Sequence, residues 1–280
     1  LERECIMRRI KIVTDSTSYF SKEFLKNRDL SIVPLNYVFD DKSYVEGFKG
    51  EFDEFFKMLG RSKLFPTTSQ PAVGDFYEVF KKALEDYEEI IAIVLSSKLS
   101  GTYNSAILAK NMLEDKKITI IDSETSASNL RYLVEDALQM SEEGKTSKEI
   151  EDFINDKKTK MNIYLTTDTL EYLSRGGRLS SFQSAIGNFL NVRPIIELRD
   201  GELQLLEKIR GKNKSILRLI EKIPENVQKI SICHILNLSE AKKLQDILIK
   251  KFPDADISVD ELGPVVGAHL GPKTLGICFY

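Results

Sequence analysis

The chain has 280 residues, of which 42% are hydrophobic and 30% charged, with 40 basic and 43 acidic side chains and a formal net charge of −3. This composition excludes an intrinsically disordered chain, and the slightly acidic balance speaks against a nucleic-acid binder, which carries a basic domain or stripe. The length suggests two units of roughly 150 residues each, and no apolar run reaches the roughly 18 residues of a membrane-spanning helix. Met7 reads as the start of the folded chain, with Leu1–Ile6 as upstream sequence lacking a signal-peptide core. Three scattered cysteines, Cys5, Cys233 and Cys278, form no CxxC and no disulfide framework, which fits a reducing, cytoplasmic compartment.

The first half predicts strands alternating with helices. Lys11–Asp15 is a short apolar strand running into Ser16, Thr17 and Ser18. Ser31–Phe39 is a second extended segment in which Pro34 demands an edge or irregular strand. A helix over Glu51–Leu59 follows, then the polar segment Pro66–Pro71, where Ser69 or Gln70 could cap a helix whose first turn accepts Pro71. Ile90–Leu95 is continuously apolar, as a strand buried on both faces must be, and leads to a helix ending near Glu114. Ile118–Ile121 repeats the pattern and precedes a helix over Leu130–Met140. This βαβ order implies a parallel sheet between helix layers. The helical pattern of Lys148–Ile154 leads to a boundary near residue 160.

In the second half, Asn162–Thr167 reads as a strand and Phe182–Leu190 as a helix. Arg193–Arg199 and Glu202–Glu207 form a hairpin around Asp200–Gly201, a pair that favours a type I′ turn. Helices over Ser215–Lys222 and Ser239–Lys251 alternate with strands Lys229–Ile235, Ile257–Val259 and Thr274–Tyr280. The expected fold is therefore α/β in two domains. Residues 7–160 form a parallel α/β domain with hydroxyl-rich loops, residues 161–280 a mixed sheet with helices, and a ligand sits at their interface.

Three strands of the first half end in hydroxyl-rich loops: Thr14–Thr17, Ser96–Thr102 and Asp122–Ser128. Ligands of parallel sheets bind outside the carboxyl ends of the strands, so these loops should face one crevice, joined by Thr67–Gln70. Each hydroxyl is equally open to a plain capping role. As a ligand site, helix N-termini with hydroxyls suit an anion, and Gly101 between Ser100 and Thr102 allows close backbone approach. No GxGxxG follows a strand and no GxxxxGK[ST] occurs, and Pro272 breaks the loose P-loop likeness of Gly267–Thr274, so nucleotide cofactors are not expected. Of the two histidines, His234 lies in an apolar strand and reads as structural. His269 lies in a glycine-flanked loop and reads as an anion contact. Two histidines without metal-ligand spacing make no zinc site. Arg175–Gly176–Gly177–Arg178 is a bendable basic loop that serves either as a solvated turn or as an anion or partner contact.

These residues carry a resemblance. The sequence is similar to the DegV family, bacterial fatty-acid-binding proteins that serve as the lipid-carrying component of fatty acid kinase. The resemblance runs from about Ile10 to Tyr280. It rests on Ile12–Thr17, Thr67–Thr68–Ser69–Gln70–Pro71, Leu95–Ala106, Ile121–Asp122–Ser123, Leu173–Leu179 and Gly267–Ala268–His269. The sequence departs from the family pattern at Asn129–Leu130–Arg131 and at Leu270–Gly271–Pro272–Lys273. The resemblance implies a long-chain fatty acid such as palmitate, buried between two α/β domains, with no cofactor and no enzymatic activity of the chain itself. It implies a carboxylate site at Thr68, Ser100 and His269, to which the neighbouring Ser69, Ser97 and Gly101 are added as candidates. It implies a separate ATP-dependent kinase that meets Arg178 and Arg210, and at most transient membrane contact. The alternatives are a Ser-His hydrolase, using Ser97 or Ser100 with His269 and Asp15 or Asp122, and an interaction protein without ligand. The hydrolase lacks a GxSxG elbow.

Overall fold

The computed structural model describes residues 8–26, 28–62, 64–114, 117–178 and 192–280; the expected helix Phe182–Leu190 and the segment Leu1–Ile6 lie outside these. From the N-terminus, β1 (Arg8–Asp15) is followed by α1 (Lys22–Leu25), β2 (Leu30–Val33), β3 (Asn36–Phe39), β4 (Lys42–Val45) and α2 (Asp53–Arg61). Next come β5 (Thr67–Ser69), α3 (Val73–Asp86), β6 (Tyr87–Val94), α4 (Thr102–Leu113), β7 (Ile118–Asp122), α5 (Ala127–Glu142) and α6 (Ser147–Lys158). The second half holds β8 (Asn162–Thr166), α7 (Glu171–Gly176), β9 (Val192–Arg199), β10 (Glu202–Arg210), α8 (Lys212–Glu221) and β11 (Lys229–Ile235). It ends with α9 (Leu238–Lys251), β12 (Asp256–Glu261), α10 (Pro264–Leu270) and β13 (Thr274–Phe279).

Strands β2–β1–β6–β7 form a four-stranded, wholly parallel sheet. Its two helix layers follow from side-chain alternation along β6. Ile90, Ala92 and Val94 point to α3 and α4, where Phe76, Phe80, Ala106 and Ala109 meet them. Ile91, Ile93 and Leu95 point to α5 and α6, against Leu130, Leu133, Val134, Ile150 and Ile154. Pro34 splits the second extended segment: β2 stays as an edge of the parallel sheet, while β3 leaves it and joins β4 and β5 in a small antiparallel sheet.

The mixed sheet of the second half has the order β10–β9–β8–β13–β11–β12, with only β11 and β12 parallel. Alternation again decides what each face meets. Ile195, Ile230, Ile232, Leu275 and Ile277 pack beneath α8 and α9. Ile163, Leu165, Ile196, Cys233 and Cys278 face the other way, into a core shared with Phe52, Phe55 and Phe56 of the first half. The hairpin turns at Asp200 and Gly201, both at positive φ as a type I′ turn requires.

Three expectations are corrected. His269 lies in the last turn of a helix, α10, and not in a loop between strands: Pro264 occupies the first turn, and Val265, Ala268 and Leu270 are buried in the cores on either side. Arg175 and Gly176 end α7, with Gly177 in the left-handed region as its cap, so the Gly-Gly pair closes a helix rather than forming a loop. Thr67–Ser69 pairs with β3, and α3 starts beyond Pro71. Neither Ser69 nor Gln70 caps that helix, whose Asp75 side chain accepts from Ala72 N at 2.8 Å.

The halves are tied by one buried ionic cluster. Arg131 of α5 donates from both terminal nitrogens to Asp260 of β12, at 3.0 and 2.6 Å. Lys49 also pairs with Asp260, and Ser231 and Ser128 donate to its Oδ2 at 2.7 and 3.2 Å. Burial alone would raise this carboxyl, but Arg131 and Lys49 together outweigh it and hold Asp260 well below the usual carboxylate range. Arg131→Ala should therefore lower unfolding free energy by about 3 kcal/mol, the low end for breaking a buried pair, because Lys49 remains. A denaturant midpoint indistinguishable from wild type would refute this.

Candidate functional site

Between the apolar face of the mixed sheet and the carboxyl ends of β6 and β7 lies a cavity of about 370 Å³. That volume is in the range of small-molecule sites, ~300–1,000 Å³. Its apolar wall includes Leu35, Leu95, Leu99, Leu165, Leu198 and Leu203. One pole is polar and is built by Thr68, Ser69, Gln70, Ser100, Arg178 and His269. Ser69 and Gln70 are solvent-exposed, so the cavity meets water at this pole.

Each polar residue arrives from a different element. Thr68 is central in β5, and its Oγ1 lies 2.7 Å from Nε2 of His269. Ser100 precedes α4, its Oγ 2.9 Å from Thr102 Oγ1 and accepting from Thr102 N at 3.3 Å. Arg178 follows α7, and its guanidinium donates to the carbonyls of Leu99 and Gly176. Two close approaches need glycine. A Cβ on Gly176 would sit 2.2 Å from Nδ1 of His269, and one on Gly101 would sit 2.0 Å from the Gln70 amide oxygen.

The helix carrying His269 is held by a buried acid. Glu46 accepts from Val265 N in the first turn of α10 at 2.8 Å and from Ser16 Oγ at 2.5 Å. A carboxyl at a helix N-terminus is favoured by the dipole, yet burial pushes Glu46 up to about 7. Asp15 accepts from Thr17 Oγ1 and from Leu95 N, at 2.6 and 2.7 Å, and burial raises it to about 6.

Burial, and secondarily the positive charge of Arg178, lowers the His269 imidazole to about 4, so the ring is neutral near pH 7. With its proton on Nε2 the ring donates to Thr68 Oγ1, which leaves the Thr68 hydroxyl proton for a second acceptor. The Arg178 guanidinium supplies positive charge to the pole. A neutral donor set beside one cation suits a single carboxylate.

Several candidates take other places. Ser97 lies outside the cavity wall, its N–H donating to Asp122 Oδ1 at 3.1 Å. Gly101 backs Gln70 rather than lining the cavity. Arg210 is exposed at the end of β10, away from the lining. The hydrolase arrangement is not assembled: His269 Nδ1 has no partner, and Asp15 and Asp122 are bonded elsewhere. Gln70 and Ser126, members of the loops expected at the crevice, line the cavity, and so does the pair Cys233 and Cys278, for which the sequence implied no ligand role. The Thr-Ser-Gln-Pro motif pointed towards Gln70, whereas the cysteines meet only through strand register. Among the described residues no helix is long and apolar enough to cross a membrane, and no group of three or more His, Cys, Asp and Glu could hold a metal ion.

The chain is similar along nearly its whole length to known proteins. The family model of the DegV family, described as uncharacterised protein, matches residues 9–280. A DegV domain-containing protein of Halalkalibacterium halodurans is 36% identical over 280 residues, covering 98% of this chain and 99% of its own length. The crystal structure of DegV, a fatty acid binding protein from Bacillus subtilis, superposes with a TM-score of 0.88 at 32% identity, covering 97% of this chain and 99% of that one. A stearic-acid-binding protein from Eubacterium ventriosum superposes at 0.85 with 28% identity, covering 96% and 97%. With the family model matched along nearly the whole length and the fold retained, this chain belongs to the DegV family.

Proposed function

We propose that the protein binds a long-chain fatty acid in this cavity, carboxylate at the Thr68–Ser100–His269 pole, and presents that carboxylate to a separate ATP-dependent kinase in the cytoplasm. The observation that carries the reading is the shape of the site: an apolar chamber with one polar pole where it meets solvent. Burying an acyl chain releases roughly 0.8 kcal/mol per CH₂, so the apolar wall supplies affinity and the pole sets orientation. The fatty-acid-binding neighbours support the ligand class. In this reading residues 7–160 and 161–280 act as two domains that enclose the acid, with no cofactor. The chain carries the lipid and leaves the phosphoryl transfer to the kinase. Any membrane contact is brief, for collecting the lipid.

Thr68→Ala and Ser100→Ala should each weaken binding of a long-chain fatty acid by about 1–3 kcal/mol, the scale for hydrogen bonds to a charged group, while the fold persists. Isothermal titration of delipidated protein tests this, and unchanged affinity in both variants would place the carboxylate elsewhere.

The pH dependence of His269 gives a second test. Its folded pKa of about 4 lies below the usual ~6.5, so the unfolded chain binds more protons between these values. This residue's contribution to stability therefore falls as pH drops from about 6.5 towards 4. A bound carboxylate favours the imidazolium, so loading should move the ring's titration midpoint upward in NMR. A midpoint that does not move on loading would contradict a carboxylate beside His269.

The arginines divide. Arg210→Ala should leave affinity intact and lower acyl-phosphate formation by the cognate kinase, since an exposed guanidinium can grip a partner or phosphate. Arg178→Ala should lower both, because Arg178 lines the cavity pole as well as standing near its mouth. Wild-type phosphorylation rates in both variants would remove them from the kinase encounter.

A further inference from the structure

Cys233 and Cys278 both line the cavity, and both are otherwise buried, at 3% and 1% exposure. They lie on neighbouring antiparallel strands, Cys233 opposite Gly276 and Cys278 opposite Ser231, so the two thiols are diagonal neighbours on the cavity face. Their sulfurs are 3.5 Å apart. A disulfide needs about 2.05 Å, so the two sulfurs must close by roughly 1.5 Å to join. Nothing in a fatty-acid carrier requires this pairing: apolar side chains would fill the wall as well.

The surroundings make the two sulfurs unequal. Cys233 lies 3.5 Å from Ser128 Oγ and 3.6 Å from Ser231 Oγ, hydroxyls that reach on to Asp260. With these two hydroxyls against it, the Cys233 sulfur is the one assigned to attack, and Cys278, 3.5 Å away, the one assigned to resolve.

We infer that the pair is a lipid-facing dithiol that reduces a fatty-acid hydroperoxide bound in the cavity, ending as a Cys233–Cys278 disulfide. This rests on the fatty-acid reading above and extends it to an oxidised acyl chain. The Cys233 sulfur attacks the terminal peroxide oxygen and the O–O bond breaks. The thiol proton passes to the departing oxygen, giving a hydroxy fatty acid and a sulfenic acid on Cys233. Cys278 then attacks that sulfur, forming the S–S bond and releasing water. The two thiols supply both electrons, and the hydroperoxide is the oxidant. The oxidant class follows from access: the sulfurs open onto an apolar chamber that admits an acyl chain more readily than a small polar peroxide.

The test uses the full chain carrying Cys5→Ser, reduced and delipidated, with oleate binding measured in parallel. One equivalent of a linoleic acid hydroperoxide should consume both thiols, remove two hydrogens from the protein mass and yield one equivalent of hydroxy acid. The reaction should run roughly tenfold or more faster than with hydrogen peroxide at equal concentration, since access governs buried-thiol oxidation. Cys278→Ser should stop at a Cys233 sulfenic acid that dimedone traps, and Cys233→Ser should yield no hydroxy acid. If oleate binds while the hydroperoxide leaves both thiols reduced, or hydrogen peroxide reacts as fast, the inference is overturned and the carrier reading stands. If oleate itself does not bind, both fail together.

Discussion

A cavity beneath a sheet survives only if its walls cannot slide together, and Asp260 is the charge that fixes them. Its carboxylate, 2% exposed, takes the Arg131 guanidinium from α5, Lys49 from the segment before α2 and the hydroxyl of Ser231 from β11. Replacing such a cluster with apolar side chains often costs nothing in stability. What apolar packing lacks is direction. A bidentate arginine sets the distance and angle between α5 and the mixed sheet, where greasy contacts would let α5 settle into the space below it. The chamber's opening and its wall both inherit that geometry, because α5 begins at Ala127 in the lining.

The polar pole faces a different problem: it must be dry enough to bind tightly and charged enough to choose a carboxylate. Neutral His269 meets the first demand and Arg178 the second. The acids behind the pole complicate the balance. Asp15 and Glu46 hold protons in the folded chain up to about 6 and 7, where the unfolded chain would have released them. Their contribution to stability falls as pH rises through that window, while that of His269 rises. The opposed slopes flatten the stability curve across mildly acidic pH, and they do so within one packed unit, because Glu46 grips the helix on which His269 stands.

Much of this was legible in the sequence. The unbroken run Ile90–Leu95 could only be a strand covered on both faces, and Asp200–Gly201 could only be a tight turn. The family resemblance implied Thr68, Ser100 and His269 as a set, and the fold brings all three to one cavity wall. What stayed hidden depends on partners far away in the chain. α10 is only seven residues long, too short for periodicity to reveal, and exists because Glu46 and the buried faces of Val265 and Ala268 hold it. β5 is three residues that become a strand only beside β3. Cys233 and Cys278 stand 45 positions apart, and no local signal couples them.

The glycines beneath the pole have a consequence for how this site can change over time. Gly176 and Gly101 contribute no side-chain chemistry, yet the His269 ring and the Gln70 amide occupy the volume a methyl group would claim at each. The site is thus written partly as absences. A drift to alanine at either position conserves polarity, charge and almost all of the volume of the protein, and would pass as silent by every measure of residue similarity. At Gly176 it would nonetheless evict the His269 ring from its seat, and at Gly101 it would turn the exposed Gln70 amide aside. Lineages that retain the polar residues but lose these two hollows would keep the motif in writing and lose the geometry that gives it meaning.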